Sequence, residues 1–177
     1  MRRSLDLLYA ASGAFAALCL AAIFVLMLAQ ALGREFGLLI RGADDLTAWL
    51  CAASAFFALA HTFRDGELVR VGLLIDGLQG RTRAAFELFA LGITAAFVGY
   101  MLWAVSQYML EGVRSNYVTQ GLLVVPEWVP QLSFLLGALI FFTALLDEIV
   151  VVVRGGKPSY RLAEESRRAR GDFSDTV

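Results

Sequence analysis

The sequence predicts an all-α integral membrane protein with four transmembrane helices and a short amphipathic interfacial helix between the second and third. Three observations carry that expectation. Hydrophobic residues make up 59% of the 177-residue chain, charged residues 18%, and mean hydropathy is +0.68, which is more apolar and less charged than a typical soluble domain. The charges collect between four apolar blocks, at about residues 7–32, 46–63, 84–110 and 129–153. Even the shortest, 18 residues without a formal charge, covers roughly 27 Å as a helix, close to the hydrocarbon thickness of a bilayer. Finally, of 15 basic residues only Arg34, Arg41 and Arg114 fall on one side of this topology. The positive-inside rule therefore places both termini and the central loop in the cytoplasm. Residues 1–155 form one membrane domain, and residues 156–177, rich in charge, form a mobile cytoplasmic tail.

Arg2 and Arg3 precede an apolar run that reaches Ala29-Gln30-Ala31, the outline of a signal peptide with a cleavage site. The run is 26 residues long, against about 7–15 for a signal core, so it is read as the first spanning helix. Within it Gly13, Ala17 and Ala21 recur every four residues, a candidate packing seam that lets a second helix approach closely. An alanine-rich face toward lipid is the alternative. The next loop carries Arg34, Arg41 and Asp44, which with Arg114 are candidates for contact with a soluble partner. Asp44 and Asp45 also suit the start of a helix, where the macrodipole favours negative charge.

The second block holds Trp49 near one end and His61 near the other. A lone histidine cannot supply paired axial ligands to a haem, so interfacial packing is its expected role. Arg64-Asp65-Gly66-Glu67 then ends the apolar run, and Leu68, Val71, Ile75 and Leu78 recur at helical spacing, as an amphipathic helix in the membrane surface requires. In the third block Gly92, Ala95, Ala96 and Gly99 form a small-residue stripe, of which Gly92 and Ala96 are the candidate packing positions. Phe86, Phe89, Ile93, Phe97 and Tyr100 form a bulky one for lipid or a larger protein.

Pro126-Glu127-Trp128-Val129-Pro130 opens the fourth block, because proline is tolerated in a first helical turn whose N–H groups lack intrahelical acceptors. Trp49, Trp103 and Trp128 are candidate interfacial anchors. Asp147 and Glu148 lie roughly 27 Å along this helix from Val129, at the inner interface, which argues against ion coupling through them. Cys19 and Cys51 differ in depth by roughly 12 Å and are expected to be free thiols.

No catalytic triad, metal-ligand spacing, phosphate-cradling glycine loop or basic patch interleaved with aromatics is present, so neither an enzyme, a cofactor nor a nucleic-acid partner is expected. A transporter acting alone would show polar or broken helices near mid-membrane. These four offer only serine, threonine, cysteine and glycine there.

The order of features over residues 1–155 resembles the small membrane (Q-type) subunit of tripartite ATP-independent periplasmic (TRAP) transporters. The residues that carry it are Asp44, Asp45 and Trp49, then Arg64-Asp65-Gly66 with Val69-Arg70-Val71, and finally Val125-Pro126-Glu127-Trp128-Val129-Pro130 followed by Gly137. Leu68 and Gly72 depart from the family, which often has histidine and an acid there. The resemblance implies cation-driven uptake of a small organic acid, delivered by a periplasmic binding protein to a large membrane subunit in the bacterial inner membrane. This chain would then be a scaffold beside that large subunit, in contact with lipid. A self-sufficient proton-coupled exporter using Asp147 or Glu148, and a membrane anchor of a redox complex, are the competing classes.

Overall fold

The computed structural model describes residues 2–38, 40–65, 81–156 and 158–159. They form four helices: α1 (Arg2–Glu35), α2 (Ala43–Arg64), α3 (Arg81–Arg114) and α4 (Trp128–Val153). All four are long and apolar enough to cross a membrane. The first three extend beyond their apolar blocks, since polar residues at the ends continue the backbone ladder, and α4 adds only Trp128 to its block. The interfacial helix expected around Leu68–Leu78 and most of the expected tail lie outside the described residues.

Three helices stop on left-handed residues. Gly37 (φ 70°) ends α1, Asn116 (φ 51°) follows α3 and Gly155 (φ 73°) ends α4. Around Gly37 the Leu38 N–H reaches Gly33 O at 2.8 Å and the Gly37 N–H reaches Arg34 O at 3.2 Å. This is the Schellman pattern, and it satisfies carbonyls the helix leaves open. The same pair of bonds recurs at Gly155 and Gly156, to Val152 and Val151.

In space the helices run α1, α2, α4, α3, each packed on the next, with α1 and α3 as flanks. The least exposed residues of α1 are Tyr9, Ser12, Ala16 and Cys19, followed by half-buried Ile23 and Leu26. They alternate at spacings of three and four, the seam of a left-handed helix pair. Ser12 Oγ donates to the Phe57 carbonyl of α2, and the Phe15 and Phe57 rings meet edge to face at 4.7 Å. Between α2 and α4 the approach is closer. A Cβ on Gly137 would stand 2.7 Å from the Phe56 carbonyl carbon, so α4 lies on the α2 backbone. Phe56–Phe134 and Phe63–Phe141 ring pairs flank that crossing at 4.1 and 5.6 Å. On α3, Leu91, Ala95, Val98 and Leu102 are buried in the common core with Phe141 and Leu145 of α4.

Candidate functional site

At the end where α2 begins and α3 ends, the 117–127 segment folds into a small hairpin. Val118 and Pro126 form an antiparallel bridge, and the Thr119 N–H donates to Val125 O at 2.9 Å. Thr119 Oγ1 also donates to Leu123 O at 2.6 Å and accepts the Val125 N–H at 3.1 Å. One short side chain thus closes the tip from within, as threonine does in turns.

The hairpin is pinned to α2. The Leu123 N–H donates to Asp45 Oδ2 at 3.0 Å, across 78 residues of sequence. Gly42 makes room for it: its φ is 80°, and any Cβ there would overlap the Leu123 side chain. Gly121 lies so close to the Asp45 carboxylate that a Cβ would collide with it. Both acids lie in the first turn of α2, as expected of a helix start where the macrodipole favours negative charge. Among the described residues, however, neither carboxylate bonds within that turn. Asp45 instead holds a distant loop, and Asp44 Oδ1 accepts from Gln30 Nε2 of α1 at 3.1 Å.

Between the hairpin, α2 and α3 lies an open recess of about 820 Å³ whose lining includes Asp45, Trp49, Tyr108, Tyr117 and Glu127. Tyr108 OH donates to Glu127 Oε1 at 3.0 Å. Sequence patterning places Trp49 at the membrane interface and Asp45 at a helix start, without relating either to a recess. Glu127 was visible as part of the proline-flanked helix start, but no periodicity relates Tyr117 to Asp45.

The opposite end is held by charge. Arg64 of α2 pairs with Asp6 of α1, and its guanidinium lies 5.1 Å from the centre of the Tyr9 ring. His61 packs its ring against Gly13, with Nε2 3.3 Å from Asp65 Oδ2. Glu148 is 4% exposed and accepts from the Ser159 N–H at 3.1 and 3.2 Å and from Ser159 Oγ. Pro158 is fully buried beside it. The first residues expected to belong to a mobile tail are thus folded back against α4. Among the described residues no group of three or more His, Cys, Asp or Glu converges as a metal site, and Cys19 and Cys51 are free.

A family model described as tripartite ATP-independent periplasmic transporters, DctQ component, matches residues 23–155. The chain belongs to this family. No curated protein and no solved structure matches it. As a DctQ component it is part of a transporter, with four helices able to span a membrane. The match covers the α2–α4 crossing and the hairpin, but of the α1 seam only Ile23 and Leu26; Tyr9, Ser12, Gly13, Ala16 and Cys19 precede it.

Within this DctQ chain the candidate packing residues separate. Gly13 touches α2 through His61, whereas Ala17 and Ala21 are exposed. Ala95 is buried on α4 and Gly99 faces Phe142, but Ala96 is exposed and nothing lies within 4 Å of a Cβ on Gly92. At about 100° per residue, a stripe four residues wide straddles two faces. The bulky stripe is open as well: Phe89, Phe97 and Tyr100 are each at least 64% exposed. Trp103 and Trp128 are exposed and Trp49 is half-buried, Trp49 and Trp128 lying near the starts of α2 and α4. Arg34, Arg41, Asp44 and Arg114 are all exposed at the hairpin end.

Proposed function

We propose that this DctQ component is a scaffold rather than a conduit, packing beside a large membrane subunit that carries out cation-driven uptake of a small organic acid. One observation carries the reading. The hydroxyls of Ser12, Ser54, Thr62, Thr94, Ser106 and Thr143 each donate to a backbone carbonyl of the chain's own helices. Hydroxyls already satisfied by backbone carbonyls in this way offer little to a charged solute, whose path would require polar side chains open to water near mid-membrane. Glu148, engaged by Ser159, serves chain packing and not proton exchange, which favours the scaffold over a self-sufficient exporter. In this reading the open faces of α1 and α3, including Ala17, Ala21, Gly92 and Ala96, receive the large subunit or lipid. Arg34, Arg41, Asp44 and Arg114 meet the periplasmic binding protein, and both termini are cytoplasmic in the inner membrane.

Purification of the complex tests this. A large multi-spanning protein should copurify, and the chain alone should transport nothing in liposomes. Transport by the chain alone, or a copurifying redox subunit, would overturn the proposal. Charge reversal at Arg34, Arg41 and Arg114 should raise the binding-protein concentration needed for half-maximal uptake and change its salt dependence, leaving substrate choice alone. For orientation, a cysteine at position 116, in a variant lacking Cys19 and Cys51, should react with an impermeant maleimide added outside. Reaction at position 66 instead would reverse the topology.

A further inference from the structure

We propose that the recess between the hairpin and the start of α2 is a binding site for an organic ammonium group. Its chemistry selects that class. Trp49, Tyr108 and Tyr117 contribute aromatic residues, Asp45 and Glu127 contribute carboxylates, and among the described residues no lysine, arginine or histidine lines it. Aromatic faces attract cations, and alkylammonium ions above all, because such ions give up hydration more readily than metal ions do.

The two carboxylates are held in place by their own partners. Asp45 uses Oδ2 for the Leu123 N–H and Glu127 uses Oε1 for Tyr108 OH. Each keeps a second oxygen, Oδ1 and Oε2, that accepts no hydrogen bond from the described residues, and neither acid forms an ion pair there. Among the described residues, two fixed negative charges therefore border the space without a basic partner. An anionic solute would be repelled, so the site is distinct from any route for an organic acid.

Size and position narrow the ligand further. About 820 Å³ is far more than a bare metal ion needs and lies within the range of small-molecule sites. The recess sits where α2 begins and α3 ends, the level at which spanning segments meet headgroups. The shared chemistry, an ammonium on a short carbon chain, has two sources: the headgroup of phosphatidylethanolamine, or a soluble ammonium compound.

The test uses the full chain in nanodiscs of phosphatidylglycerol, with Trp103→Phe and Trp128→Phe leaving Trp49 as reporter. Titration with tetramethylammonium chloride should shift Trp49 emission saturably, and sodium chloride at equal ionic strength should not. Glu127→Gln keeps an acceptor for Tyr108 and removes the charge; it should weaken binding about tenfold. Tyr117→Leu, which alters a half-exposed ring and leaves the hairpin backbone bonds in place, should weaken it as well. In mixed nanodiscs, selective retention of phosphatidylethanolamine over phosphatidylglycerol in native mass spectrometry identifies the lipid source. Saturable tetramethylammonium binding without such retention identifies the soluble one. An unsaturable response together with equal retention of both lipids overturns the proposal. So does unchanged binding in both variants once melting temperatures show that they are folded.

Discussion

Gly137 and Gly92 both sit inside apolar helices, four-residue neighbours of bulky side chains, and their surroundings are opposite. Gly137 is closed against the Phe56 backbone, in the middle pair of the row, whereas Gly92 opens on nothing within 4 Å, on a flank. The α2–α4 crossing is finished within this chain. The outer face of α3, with Phe89, Ile93 and Phe97 beside Gly92, is not. A small residue in a membrane helix permits close approach, and what approaches is decided by which neighbour the topology supplies.

The largest expected effect is at the closed glycine. Gly137→Leu must push α2 and α4 apart, with a cost of about 1–3 kcal/mol or more. Thermal unfolding of the purified chain in detergent reads it, and an unchanged midpoint would mean the crossing is looser than 2.7 Å implies. Gly42→Ala comes next, since it combines a positive φ with overlap on Leu123; a loss of about 1–3 kcal/mol is expected. Hydrogen exchange should quicken in residues 117–127 and stay slow in α4, which separates a loosened hairpin from a damaged bundle. Asp6→Asn removes the pair with Arg64, whose side chains are 27% and 48% exposed, and should cost less than about 1 kcal/mol. High salt should erase most of that difference.

The smallest effect on the chain itself is expected for Gly92→Leu, within about 0.5 kcal/mol of the parent in the same unfolding assay. Its consequence should appear in copurification of the large subunit, if that subunit covers α3. Should Gly92→Leu destabilise the isolated chain as much as Gly137→Leu, the contrast between closed and open faces would fail.

Much of the candidate site was hidden from patterning for an identifiable reason. Asp44 and Asp45 look equivalent as neighbouring acids at a helix start, but one bonds Gln30 and the other Leu123. That division depends on a hairpin 78 residues away along the chain, and the hairpin depends on a threonine bonding its own turn. Gly13 did mark a contact, while Ala17 and Ala21, on the same nominal stripe, lie off the seam through Ser12, Ala16 and Cys19. A heptad count would have found that seam, because its spacing is local.

The sequence by itself determined the four membrane-spanning helices, their apolar lengths and the proline-flanked start of α4. All of these follow from local quantities: transfer of side chains out of water and the backbone restriction of proline. Only the tertiary structure decided the order α1, α2, α4, α3, the closure of Gly137, the burial of Glu148 and the recess beside Asp45. In water, hydrophobicity tells a buried face from an exposed one. In a membrane the lipid-facing and helix-facing sides are both apolar, so the choice between them rests on shape and hydrogen bonds between distant residues, which hydropathy does not encode.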